Sequence, residues 1–220
     1  MASDKLSARA VLVPTAGVVL DGDLAVPDRP QGVVLFAHGS GSSRHSLRNR
    51  RVADAFHQAG YATLLMDLLT ASEEAVDIRT RELRFDIARL AARLIGALDW
   101  LVGQPGRAQW PVATFGASTG AAAALITAAD RPEHVRLVIS RGGRPDLAGE
   151  ALGRVQASTL LIVGANDPQV LELNQQAATQ LTCPVDMAVV PNATHLFEEP
   201  GTLEVVIDLA SQALNRHLGG

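Results

Sequence analysis

Two kinds of pattern alternate along the chain. Short runs such as VVLFA at Val33–Ala37 and ATLLM at Ala62–Met66 are apolar almost throughout, as strands covered on both faces are. Between such runs, apolar residues return every three or four positions. The stretch 18–26 alternates and stops at Pro27, which predicts a strand. Further strands are predicted at 112–115, 135–139, 160–163 and Val185–Val190. Helical spacing predicts helices at 46–59, closed by Gly60, and at 80–102, where Leu83, Ile87, Leu90, Leu94, Leu98 and Leu101 share a face. An alanine-rich helix at 119–129 and helices at 169–180 and 202–217 complete the set.

Strand–helix alternation of this kind predicts one α/β domain over residues 1–220, with a mostly parallel central sheet and helices on both faces. The least patterned stretches, 68–79 and 141–154, are short, so no large lid is expected.

In an open parallel sheet, ligands sit beyond the carboxyl ends of the strands. The residues that follow the predicted strands are His38-Gly39-Ser40, Asp67, Gly116-Ala117-Ser118, Ser140-Arg141, Gly164-Ala165-Asn166-Asp167, and Pro191 through His195. Gly116-Ala117-Ser118-Thr119-Gly120 has the G-x-S-x-G spacing of a serine on a sharp strand-to-helix turn. Small neighbours are needed there because the helix folds back on the strand. A serine hydroxyl is a poor nucleophile, so it needs a base, and the base needs an orienting acid. Asp167 and His195 follow later strands in the required order, serine, acid, histidine. Asp186 begins a strand and Asp146 precedes the right one, so both fit less well. His38 comes before the serine and is read as a support for its loop. The remaining histidines lie on predicted helices or their ends and are read as surface residues.

An oxyanion hole needs two backbone N–H groups. Thr119, directly after the serine, is expected to supply one, and Ser40 the other. The loop carrying Ser40, HGSGSSRHSLRNR, also invites a phosphate-binding reading. It has no lysine for G-x-x-x-x-G-K-[ST], and Arg44 stands where the third glycine of G-x-G-x-x-G belongs.

Composition narrows the partners. A net charge of −4 points away from nucleic acid and acidic membrane surfaces. No apolar run approaches the ~20 residues of a membrane span. MASDKLSARA lacks the apolar stretch of a secretory leader, so a cytoplasmic location is expected. Cys183 is the single cysteine, and no cluster of metal-ligating residues stands out, so neither a metal nor an organic cofactor is expected. Lys5 is the sole lysine, which reveals a bias towards arginine and lowers the weight of any one arginine. Arg44, Arg48, Arg50 and Arg51 still cluster beyond the first loop, and Arg141 and Arg144 follow a strand. Two readings of them stay open: a solvated, arginine-rich surface, or recognition of a substrate anion with Arg44 and Arg141 as the candidate contacts.

HGSG, GASTG, GAND and the ATH of residues 193–195, in this order and spacing, resemble the α/β-hydrolases, in particular the small dienelactone-hydrolase-like group. The resemblance covers roughly residues 17–217. SRHSLRNR, SRGGRPDLA and THLFEEPG resemble a branch whose members sometimes carry a fused phosphoribosyltransferase domain, which is not expected within these residues. Dienelactone hydrolases use a cysteine nucleophile and a glutamate after the first-loop histidine. Here those positions hold Ser118 and Gly39, so the lactone substrate is not carried over. The resemblance implies serine hydrolysis of a small ester or related acyl substrate through an acyl-enzyme. The other readings are acyl transfer to an acceptor other than water, and a binding or regulatory module without catalysis.

Overall fold

The computed structural model describes residues 8–219. Its centre is one eight-stranded sheet in the order β1-β2-β4-β3-β5-β6-β7-β8. β1 (Arg9–Thr15) and β2 (Val18–Ala25) form an antiparallel hairpin, and β2 runs antiparallel to β4 (Ala62–Met66). All remaining neighbours are parallel: β3 (Val33–Ala37), β5 (Val112–Ala117), β6 (Val135–Arg141), β7 (Ser158–Gly164) and β8 (Val185–Val190).

The apolar strands are apolar because both faces are covered. From β3, Val33, Leu35 and Ala37 enter one core with α3 (Ile87–Val102) and α4 (Gly120–Asp130). Val34 and Phe36 enter the other, with α1 (Leu47–Gln58) and α6 (Thr202–His217). There Phe36, Phe56 and Phe115 pack with ring centroids 5.0–6.0 Å apart. Alternation within a continuous apolar run thus serves two cores at once. Among the described residues, no helix is long and apolar enough to cross a membrane.

Three elements depart from the sequence expectation. β1 is a strand that was not expected; it lies on the sheet edge, where the missing N–H of its Pro14 is tolerated. Ala16 and Gly17, both at positive φ, make the tight turn that returns the chain into β2. The predicted helix 80–102 begins only at Ile87, behind the cap Asp86. Leu83 packs against the same core from a short 3-10 turn, Leu83–Phe85, and so mimicked a further helical turn. The stretch taken as unpatterned contains α2 (Ala71–Thr80). Its signal was T-x-x-E: the Thr70 hydroxyl accepts from the Glu73 N–H while the Glu73 carboxylate accepts from the Thr70 N–H. The other weakly patterned stretch folds as short 3-10 turns over Pro145–Arg154. A fifth helix, α5 (Pro168–Ala178), follows β7.

α2 has little apolar surface to bury and is held by charge. Arg93, 2% exposed, donates to both carboxylate oxygens of Glu73 at 2.6 and 2.7 Å and to the Leu68 carbonyl at 2.6 Å. The Arg93 guanidinium, followed by the capping N–H and hydroxyl of Thr70, holds the Glu73 carboxyl at about 2 against a partial opposing effect of burial. A carboxyl with a depressed pKa stabilises the fold above its unfolded value and stops doing so as pH falls through the folded one. Glu73→Gln is therefore expected to lower the unfolding free energy at neutral pH by about 2–3 kcal/mol. Urea titrations across pH should show that difference intact above about 4.5 and vanishing towards about 2.

Candidate active site

The site begins at the turn from β5 into α4. Ser118 adopts φ +51°, a left-handed conformation that costs a side-chain-bearing residue about 1–3 kcal/mol. The surroundings hold it there. The Ser118 N–H donates to the Arg141 carbonyl at 3.3 Å, and its own carbonyl accepts from the Arg144 N–H at 3.0 Å. A Cβ on Gly116 would lie 2.4 Å from the Ala121 Cα, and one on Gly120 2.2 Å from the Ala37 carbonyl oxygen. Both glycines of G-x-S-x-G are thus required by backbone contact. Four alanines, Ala121–Ala124, let α4 approach the sheet to the same closeness.

Asp167 comes from the loop after β7. It stands at the N-cap position of α5 with Pro168 behind it, yet its carboxylate caps nothing. It accepts from His195 Nδ1–H at 2.7 Å instead. That bond sets the histidine tautomer and leaves the Nε2 lone pair facing Ser118 Oγ at 3.3 Å. His195 is carried on the loop after β8. The loop is pinned by Phe197, buried at φ +55°, and by Glu199, whose carboxylate accepts from the Thr194 N–H and hydroxyl. Gly164 lets this loop sit against β7, since a Cβ there would be 2.3 Å from the Ala193 carbonyl oxygen.

The first loop approaches from β3. Gly39 lies so close to the serine that a Cβ would be 3.0 Å from Ser118 Cβ. Ser40 Oγ and Thr119 Oγ1 lie 2.9 Å apart, which ties the two predicted oxyanion residues together. Neither the Ser40 nor the Thr119 amide donates to a protein acceptor among the described residues. His38 supports the loop: Nδ1–H donates to the Gly39 carbonyl at 2.9 Å, and Nε2 accepts from the Leu68 N–H at 3.1 Å. Burial pushes its pKa down, in keeping with a neutral ring held in one tautomer.

The arginines divide. Arg44 donates its backbone N–H to Asp67 at 2.8 Å, and its guanidinium pairs with the same carboxylate. It lines a neighbouring cavity, not the depression that holds Ser118, so the structure does not bring Arg44 to the serine as expected. The reason is local: Asp67, at the end of β4, takes its charge. Arg141 does reach the depression, a space of about 170 Å³ lined also by Gly39, Ser118, His195 and Asn49. Asn49, buried on the first turn of α1, was missed because an asparagine in a helical run carries no motif. Among the described residues, no three His, Cys, Asp or Glu side chains gather as a metal would require.

Comparison with known proteins bears on the family and the fold. The model of the Dienelactone hydrolase family matches residues 20–218. The chain belongs to this family. A crystal structure of dienelactone hydrolase from Anabaena variabilis superposes with a TM-score of 0.94 at 54% identity, covering 96% of this chain and 98% of that one. A Mycobacterium tuberculosis protein named "Putative phosphoribosyl transferase" is 57% identical over 210 residues. The match covers 96% of this chain and 46% of that protein, so the chain spans about half the length of the curated relatives it matches. A dienelactone-hydrolase-like phosphotriesterase from metagenomic libraries shares the fold, with a TM-score of 0.76 at 20% identity over 97% of this chain and 99% of that one. As a dienelactone hydrolase family member, the chain has the fold of a hydrolase, an eight-stranded, mostly parallel sheet flanked by helices.

The glycine contacts can be tested apart from activity. Gly120→Ala should cost about 2–3 kcal/mol, because the added methyl would run into the rigid backbone of Ala37 and His38. Gly153→Ala, where nothing lies within 4 Å, should be neutral or slightly stabilising. Urea denaturation of the two variants checks the contrast.

Proposed function

We propose that this chain is a serine hydrolase that cleaves a small ester or related acyl substrate through an acyl-enzyme. The observation that carries this reading is the unbroken path from Ser118 Oγ to His195 Nε2 at 3.3 Å and from His195 Nδ1 to Asp167 at 2.7 Å. The first distance is long for an O–H···N bond, as catalytic hydrogen bonds often are before substrate binds.

In this reading His195 takes the Ser118 proton as the oxygen attacks the acyl carbon. The negative charge of the tetrahedral intermediate falls on the carbonyl oxygen, where the untaken amides of Ser40 and Thr119 receive it. The resulting imidazolium is stabilised by the Asp167 carboxylate. It returns its proton to the departing alkoxide, and the acyl group stays on Ser118. Water then repeats the sequence, with His195 as base, and frees the acid. The His195 side chain is 39% exposed, so bulk water reaches the acyl-enzyme directly. That access favours hydrolysis over transfer to another acceptor, which needs water kept out. The transferase name of the M. tuberculosis relative belongs to a protein about twice as long and gives no role to these residues.

Three variants test the reading. Ser118→Ala and His195→Ala should lower kcat on a cleaved ester by about 10⁵–10⁶-fold, and Asp167→Asn by about 10³–10⁴-fold. A fluorophosphonate probe should label the unsubstituted protein and not Ser118→Ala. Full activity of Ser118→Ala would sink the assignment, and folded protein that resists the probe would favour a binding module. An added alcohol that captures most of the acyl group would point to an acyltransferase.

A further inference from the structure

The arginines near the site are, with one exception, already neutralised. Arg44 pairs with Asp67, Arg48 with Glu198, Arg50 with Asp23, Arg51 with Glu204 and Arg144 with Asp146. Arg141 makes no ion pair among the described residues. It is 7% exposed, and its Nε and Nη1 are buried without a hydrogen-bond partner. Burial, with a smaller push from Arg48, lowers its pKa to about 10, which leaves it charged at neutral pH.

A buried cation without a counter-charge costs several kcal/mol. Folds remove such a charge, pair it, or leave it for a ligand. Here the space beside it holds Ser118 and His195, so what enters is the molecule being cleaved. A second buried polar group lines the same space: Asn49, 2% exposed, whose unpartnered Oδ1 accepts and so calls for a donor on the ligand, apart from its anionic oxygens. The depression is therefore a polar subsite with unmet hydrogen bonds, unlike an apolar acyl tunnel. The first turn of α1, with Ser46 and Asn49, adds the positive end of a helix to it. Its volume of about 170 Å³ equals roughly five or six waters at ~30 Å³ each, which limits the group it takes.

We infer that Arg141 is a specificity-determining residue that holds an anionic oxygen group, carboxylate or phosphoryl, on a short substrate beside Ser118. That the anion belongs to a substrate rests on the function proposed above; the anion site itself does not. Arginine suits this task because its planar fork meets two oxygens at once. Arg141 acts on recognition and takes no part in the proton transfers.

Turnover of three para-nitrophenyl esters tests this: the neutral butyrate, the hydrogen succinate and the phosphonopropionate. The unsubstituted protein should favour one of the two anionic esters over butyrate by about 10–100-fold in kcat/KM, the range of a charge-assisted hydrogen bond. Whichever anionic ester leads identifies the oxyanion. Arg141→Met should bring that ratio close to one, and Arg141→Lys should leave it between. Arg136→Met, an exposed arginine at the far end of β6, should leave it as it was. No anionic preference in the unsubstituted protein, or one that survives in Arg141→Met, would overturn the inference. If Arg141→Met does not fold, Arg141→Lys decides by the same ratio.

A second arm separates this from the proposed hydrolysis. In Ser118→Ala, succinate or inorganic phosphate at matched ionic strength should raise the melting temperature, and Arg141→Met or Arg141→Lys added to it should remove or reduce the rise. If no ester is cleaved and no fluorophosphonate labels the protein, the proposed function has failed. The melting curves then decide the anion site alone, and an absence of any such rise overturns it.

Discussion

The site depends on one crowded backbone crossing. Where β5 turns into α4, Gly116 lies under Ala121 and Gly120 lies against the Ala37 carbonyl, with no room for a Cβ at either glycine. This closeness lets Ser118 occupy a left-handed conformation at the strand end and puts the Thr119 amide opposite the Ser40 loop. The parallel register then carries the geometry outward. Ala37 pairs with Gly116 and Ala117 with Arg141, so the first loop, the serine and the unpaired guanidinium meet at one edge. β7 and β8 continue that edge and deliver Asp167 and His195. A sheet wound in the same direction needs no further device to gather residues from across the chain.

The crossing is braced from the side by charge. Asp77 on α2 accepts from the Arg84 N–H at 3.0 Å and from its guanidinium, and Arg84 Nη1 would lie 3.0 Å from a Cβ on Gly41. The Ser40 hydroxyl lies within 3.4 Å of the Arg84 carbonyl and meets Thr119 on its other side. His38 binds the same loop to Leu68, and Arg93 grips the Leu68 carbonyl and Glu73 together. Thus the short segment between β4 and α3 works as a fastening for the Ser40 loop more than as a lid. The arginine-rich composition finds its use here: most of these side chains serve as donors to carboxylates that hold loops in place.

Much of the site was legible before the fold was known, because each part obeys a local rule. G-x-S-x-G is demanded by the crossing itself, and the order of serine, acid and histidine follows from which strand ends share an edge. His38 as a loop support needed only its place before the serine. The readings that failed were local signals with two causes. Leu83 fell on the helical stripe of α3 but reaches the same core from a separate turn. The edge strand β1 gave no period-2 signal strong enough to be read, and it stands in the sheet by pairing with β2. The capping box at Thr70 and Glu73 was present in the letters and would have revealed α2.

The sequence by itself determined the α/β fold class and the sheet edge on which Ser118, Asp167 and His195 come into line. These follow from periodicity, small residues at fixed offsets and chain order, all properties of neighbours in sequence. Tertiary structure alone decided what the arginines do. One guanidinium looks like another in the letters. Whether it meets a carboxylate, as Arg44 meets Asp67 across 23 positions, or stands buried and unpaired beside a serine, as Arg141 does, depends on contacts between distant segments. Those contacts exist only once the sheet has closed over them.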